Sequence, residues 1–195
     1  MKEQFSLERV VKSEASFDPK KLIAFQSHYM SQRSTKATAQ ACLRFLQRAE
    51  LVADPAPCEI GEKLHRVVAA AGDRITMAGD ILQFEYLFQG NHDYLYDEKA
   101  FQKRLVEAEQ AGDLINEFNV NIAIVPEFEA TRIEAELKQF CQSRGLKVSD
   151  LVLPLRIALT GQPSGFSLFE TMAILGRQNC IDRINRTLDK LEFGQ

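Results

Sequence analysis

Between Leu155 and Gly176 the sequence LRIALTGQPSGFSLFETMAILG sets one arginine, Arg156, and two phenylalanines, Phe166 and Phe169, around a glycine-bearing polar turn. The guanidinium is a fork of N–H donors with no acceptor, and aromatic rings offer flat apolar faces. Ser167-Leu168-Phe169-Glu170 has the S-x-x-E spacing of a capping box, which starts a helix just after Phe166. Gly165 and Ser167 then flank a helix N-terminus, whose free N–H groups and positive dipole end favour acceptor atoms and anions. This is equipment for binding rather than for making or breaking bonds. By residue type alone, Phe166 is a core residue, a hydrophobic staple or an exposed stacking surface. Arg156 lies on a solvated face, bonds carbonyls of the 160–165 turn, or reaches a ligand. One of Leu168 and Phe169 belongs to the core, because they open an amphipathic helix shared with Met172 and Leu175.

The parts of the usual catalytic sites are missing. The sequence contains no G-x-x-x-x-G-K-[ST], G-x-G-x-x-G, G-x-S-x-G or H-E-x-x-H pattern. His28, His65 and His92 are isolated and read as surface or structural histidines. Asp93, Asp97 and Glu98 near His92 fit no regular metal spacing and read as a loop followed by a helix cap. Glu127/Glu129 and Glu134/Glu136 are two residues apart, so neither pair shares a helix face. The four cysteines, Cys42, Cys58, Cys141 and Cys180, form no C-x-x-C pair and read as buried thiols, with no metal site.

The elements that must position the turn are helical. Asp18-Pro19 starts a helix, with Asp18 as N-cap and Pro19 at the first helical position, and Leu22, Phe25 and Tyr29 share one face beside Met30. TAQACLRFLQRAELV follows, with Cys42, Leu43, Leu46 and Leu51 apolar and Arg44 and Arg48 outside. ADPAPCEIG breaks the chain. EKLHRVVAAAG and ITMAGDILQFEYLF read as short helices, and a further helix runs from Asp97 to Gly112. Residues 119–125, NVNIAIV, alternate enough for a strand ended by Pro126. The next helix carries Ile133, Leu137, Phe140 and Cys141 on one face and stops at Gly145. Ser149 caps DLVLPLRIALTG, Pro154 bends that helix, and Gly161 permits its sharp exit. The expected architecture is all-α, with two helical subdomains, 1–118 and 119–195.

Length and charge narrow the possibilities further. The 195 residues, 45% hydrophobic, suffice for a sizeable core. No run approaches the roughly 18 to 20 apolar residues of a membrane span, and the first residues lack a signal-peptide pattern, so the chain reads as cytoplasmic, without a membrane partner. The net charge of −3 is uneven: residues 1–50 carry nine Lys/Arg against five Asp/Glu, and residues 51–150 carry ten against eighteen. Polyanion contact therefore belongs to the ends of the chain, against an alternative of ordinary solvated helix faces.

Two stretches, FSLERVVKSEASFDPKKL and LPLRIALTGQPSGFSLFETMAILGRQNCIDRI, resemble the C-terminal half of bacterial glutamyl-tRNA synthetases, and DRITMAGDILQFEYLF and YDEKAFQKRL resemble the middle region of some members. The ordered P-L-R-x-A-L-T-G, L-F-E and later L-G is the most specific part. The resemblance implies two helical subdomains that grip the anticodon loop of tRNA(Glu). It implies that Arg156, Gly165, Phe166, Leu168 and Phe169 form the pocket for splayed bases, and that an arginine among Arg33, Arg44 and Arg48 reads the third anticodon base. Unpaired bases present Watson–Crick edges and stackable faces, which suits those residue types. The chain departs from the pattern at Leu153, at Gly165-Phe166-Ser167 and at Gln26-Ser27. The H-I-G-H and K-M-S-K-S signatures of the family are absent. ATP and Mg are therefore expected in a catalytic half outside this chain, with no cofactor in the chain itself. The partner implied is tRNA(Glu), not DNA, bound by a monomer. The chain is expected to be a fragment of a ligase, with a free-standing helical interaction protein as the alternative.

Overall fold

A computed structural model describes residues 18–193. Among them every regular element is helical and no strand occurs. The α-helices are α1 (Pro19–Ser31), α2 (Thr35–Arg48), α3 (Cys58–Ala71), α4 (Glu98–Phe101), α5 (Ala111–Ile124), α6 (Ala130–Ser143), α7 (Val148–Thr160), α8 (Leu168–Leu175) and α9 (Arg177–Phe193). Short 3-10 segments cover Gly72–Arg74 and Ala78–Leu87, and a π-helical turn, Gln102–Val106, continues α4.

Local chemistry explains most boundaries. Asp18 accepts from the Lys20 and Lys21 N–H groups, and Pro19 follows it, as the cap pattern requires. Asp80 Oδ2 accepts three hydrogen bonds of 2.8 Å, from Thr76 N, Thr76 Oγ1 and Met77 N, and so fixes the entry to the Ala78–Leu87 segment. Gly145 and Gly161 occupy left-handed backbone at the exits of α6 and α7, where a side chain is strained.

Other expectations need correction. Residues 119–125 are not a strand: residues 119–124 belong to α5, with Ile115, Phe118, Asn119 and Ile122 buried at helical spacing. The chemistry that misled is the alternation itself, because Val120 and Ile124 are apolar yet 67% and 77% exposed. The helix expected from Asp97 to Gly112 is instead divided. After α4 the register widens, with Glu107 N donating to Gln102 O, and α5 starts anew at Ala111. The α1 helix forms as expected, and its Leu22, Phe25 and Tyr29 are exposed, with no residue of α1 buried. Ser149 does not cap α7. Lys147 occupies the cap, and Asp150 accepts from its N–H. Cys42, Cys141 and Cys180 are buried, but Cys58 opens α3 and is exposed.

The helices pack in two groups. α2, α3 and the Ala78–Leu87 segment lie on one another, while α5, α6, α7 and α9 surround a second centre that includes Ile115, Phe118, Leu137, Leu155 and Ile184. α8 touches both groups, meeting α3 and the Ala78–Leu87 segment on one side and α6 and α9 on the other. The expected subdomain border between residues 118 and 119 falls inside α5. Phe5–Val10 and Phe17, part of the first resembling stretch, lie outside the described residues.

Candidate nucleic-acid interface

The α7–α8 turn forms one wall of a cleft of about 730 Å³, and the opposite wall comes from residues 82–95 with Arg74 beside them. That volume lies within the roughly 300–1,000 Å³ usual for ligand sites. Thr160, Gln162, Ser164 and Gly165 line the turn side. Gln83, Tyr86, Gln89, Tyr94 and Leu95 are among those facing them.

The turn is rigid for reasons readable atom by atom. The Thr160 hydroxyl donates to the Arg156 carbonyl at 2.7 Å and accepts from Gln162 N at 3.1 Å, tying the helix end to the turn. Gly161 closes α7 at φ 73°, and a side chain there would run into the Leu95 carbonyl. In the other direction Asp97 N donates to Gly161 O at 2.7 Å. Arg156, half-buried, donates through Nη1 to the Phe166 carbonyl at 2.9 Å, which bridges the two ends of the turn. Burial holds its guanidinium below the usual arginine value, and it keeps its charge at neutral pH. A Cβ at Gly165 would sit 3.2 Å from both Arg156 Nη1 and Tyr86 Oη, so glycine is what lets those two polar groups approach the backbone.

Of the five residues expected in the pocket only Gly165 lines the cleft; Arg156 sits behind it, beside Gly165 and bonded to the Phe166 carbonyl, and Phe166, Leu168 and Phe169 lie outside the lining. Arg156, Gly165 and Phe169 are partly accessible. Phe166 is 2% exposed, its ring lying 5.3 Å centroid to centroid from Phe84, so it braces the turn against the Ala78–Leu87 segment instead of offering a face. Leu168 is buried to the same degree. Both side chains are core, while their backbone remains part of the turn. Ser167 is indeed the residue before α8, yet its side chain makes no capping hydrogen bond. Its carbonyl instead accepts from Thr171 N and Thr171 Oγ1.

Arg44 and Arg48 are exposed on α2, and Arg33 is exposed in the turn before it. Arg33 and Arg44 border a separate shallow hollow with Gln40 and Phe45, and none of the three borders the main cleft. Arg33 donates to the Ala37 carbonyl at 3.1 Å.

The residues that hold the far wall were not anticipated. Arg183 of α9 is fully buried and donates to Leu159 O (2.7 Å), Tyr86 O (2.9 Å), Gln89 O (3.0 Å) and Asn91 Oδ1 (3.0 Å). It also lies 4.5 Å from the centre of the Tyr94 ring. A buried cation is tolerable only with such partners, and burial holds it below the ordinary arginine value. Arg186 adds bonds to the Asn91 and Tyr94 carbonyls, both at 3.2 Å. The available signal was periodicity: Cys180, Arg183, Ile184 and Thr187 fall on one face of α9, so Arg183 stands where a core residue belongs.

The rim carries both signs of charge, with exposed Arg74 against exposed Glu85 and Asp93, while most other groups lining the cleft are neutral. Such a surface suits the uncharged edges of a planar polar ligand better than a row of phosphates. Among the described residues no helix is long and apolar enough to cross a membrane.

An all-helical domain with a preformed, mostly neutral polar cleft defines a recognition module. The family model described as an anticodon binding domain matches residues 32–188, and the chain belongs to that family. Its curated relatives include the glutamate–tRNA ligase of Moorella thermoacetica, 32% identical over 185 residues covering 94% of this chain and 37% of the relative. Another is that of Pelodictyon phaeoclathratiforme, also 32% identical, covering 98% of this chain and 38% of the relative. The chain thus spans well under half the length of these relatives. A crystal structure of a glutamate tRNA ligase from Elizabethkingia meningosepticum shares the fold, with a TM-score of 0.79, 24% identity and coverage of 96% of this chain and 35% of that one.

Proposed function

We propose that this chain is the anticodon-binding region of a glutamate–tRNA ligase and receives the anticodon loop of tRNA(Glu) at the cleft between the α7–α8 turn and residues 82–95. The observation that carries the reading is the union of family membership with the Arg156–Gly165 arrangement: Gly165 lines the cleft, and the half-buried guanidinium stands immediately behind it, where a base edge pressed against the glycine would meet it. Arg156 offers the donors it does not spend on Phe166, and Gly165 leaves room for close approach, while Phe169, packed partly buried against the core outside the cleft lining, is a secondary contact at most to the flank of the loop. Phe166 and Leu168 act from beneath, by holding the turn. Arg33, Arg44 and Arg48 serve as secondary contacts to the RNA backbone, where exposed cations add affinity without reading sequence. The chain acts as a monomer in the cytoplasm, and a catalytic half supplies ATP and Mg chemistry. We place the division between the two subdomains in the 88–97 loop, because α2, α3 and the Ala78–Leu87 segment before it pack on one another and α5, α6, α7 and α9 after it form the other group, with α8 bridging the two.

Fluorescence anisotropy with a labelled anticodon stem–loop of tRNA(Glu) tests the reading. Binding should weaken as salt rises. Arg156→Ala should cost about tenfold or more, the worth of one charge-assisted hydrogen bond. Equal affinity for the cognate loop and for a loop with all three anticodon bases exchanged would defeat the proposal.

A further inference from the structure

Leu95 is 81% exposed, more than any other large hydrophobic residue described, and yet the residues on either side of it are tied to α7 and α9. Tyr94, just before it, is 1% exposed and donates from Oη to the Ala158 carbonyl at 2.6 Å, while the Tyr94 carbonyl accepts from Arg186. Tyr96, just after it, shares a hydrogen bond of 2.9 Å with Thr187 Oγ1. The Leu95 carbonyl abuts Gly161, and Asp97 N is bonded to Gly161 O. An exposed leucine on a loose loop needs no explanation, since it can fold back onto the surface. This one cannot fold back by moving its main chain, and it borders the cleft opposite Gln162, Ser164 and Gly165.

Resting on the reading of the cleft as an anticodon site, we infer that Leu95 is a specificity-supporting contact of that site: an apolar lip against which a nucleobase turned out of the RNA loop is pressed. A base leaving its stack loses contact on both faces, and an aliphatic or aromatic surface fixed in advance replaces one of them without an ordering cost at binding. The mixed charges around the rim give a flat, neutral base no competitor for that place. The contact is uncharged, so it contributes affinity without releasing counterions.

The stem–loop titration, run with the whole chain at several salt concentrations, separates this contact from the others. Leu95→Ala should weaken binding about five- to tenfold, toward the low end of what one stacked base contributes. It should leave the slope of log affinity against log salt unchanged, and the urea midpoint should stay put because the side chain is exposed. Leu95→Met should restore most of the loss. Val120→Ala and Ile124→Ala, which remove exposed apolar groups on α5, should do nothing. A loss smaller than about twofold for Leu95→Ala, with Arg156→Ala still weakening the same complex, overturns the Leu95 contact and spares the anticodon site. Failure of the unaltered chain to prefer the cognate loop overturns both.

Discussion

The two walls of the cleft are built by the same device on very different scales. On the α7–α8 side, Arg156 reaches a carbonyl ten residues further along the chain and stays half-exposed. On the opposite side, Arg183 and Arg186 reach carbonyls of residues 86–94 from more than ninety positions away, and Arg183 is sealed from solvent. A half-exposed guanidinium with one internal acceptor has donors left for a ligand. A buried one with four of its five N–H donors committed, and none reaching solvent, works only as a clamp. The chemistry of an arginine therefore does not determine its role; the number of its internal partners does.

Replacing the clamp should have the largest effect. Arg183→Met strands the Tyr86, Gln89 and Leu159 carbonyls, and buried acceptors without donors cost roughly 1–3 kcal/mol apiece before the loop relaxes. We expect a loss of roughly 3–5 kcal/mol in urea unfolding. A loss under about 1 kcal/mol would mean that water enters and takes over every bond, and the contrast between the walls would collapse.

The walls meet at Gly161, and Gly161→Ala probes that junction. The substitution strains a backbone at φ 73° and pushes a methyl group into the Leu95 carbonyl, which belongs to main chain and cannot swing away. Roughly 2–3 kcal/mol should be lost, more than the about 1 kcal/mol that left-handed strain alone explains. A cost of only about 1 kcal/mol would show that the 88–97 loop shifts freely against α7, contrary to its bonds with α9. Arg156→Ala comes next in stability terms, at about 1 kcal/mol for one hydrogen bond of a half-exposed group. The comparison predicts an inversion: Arg156→Ala is mild in urea and severe in stem–loop binding, and Arg183→Met is severe in urea.

How far the sequence discloses this arrangement depends on the reach of each interaction. The Asp18-Pro19 start, the Gly161 exit and the residue at which α8 begins are settled by neighbours within a few positions, and all are legible. The hydrogen bonds expected of Ser167 and Ser149 are not formed, because other groups at the same helix ends serve those donors or leave them open. Phe166 was ambiguous because its partner, Phe84, is far away in sequence. Arg183 and Leu95 were invisible for the same reason: one is a charge in a core position and the other an apolar group on the surface, and only tertiary contacts reveal that each is held where it is.

The smallest effect on folding is also the most discriminating for the near wall. At Gly165 an added Cβ meets only the ends of two side chains, Arg156 Nη1 and Tyr86 Oη, each at 3.2 Å, and the backbone has no positive φ to strain. The Tyr86 hydroxyl is buried without a hydrogen-bond partner among the described residues, and burial pushes its pKa up, so it remains a neutral group free to give way. Gly165→Ala should therefore change stability by less than about 1 kcal/mol. Its methyl group nevertheless occupies the point where the turn, the guanidinium and the cleft converge, and a displaced Arg156 loses its alignment toward a bound base. Stem–loop affinity should fall by about the amount seen for Arg156→Ala, and the double variant should lose little more than either single one, since both act on the same donor. Full additivity would show that the methyl group and the guanidinium obstruct different parts of the RNA, and that Arg156 does not read a base through the opening beside Gly165.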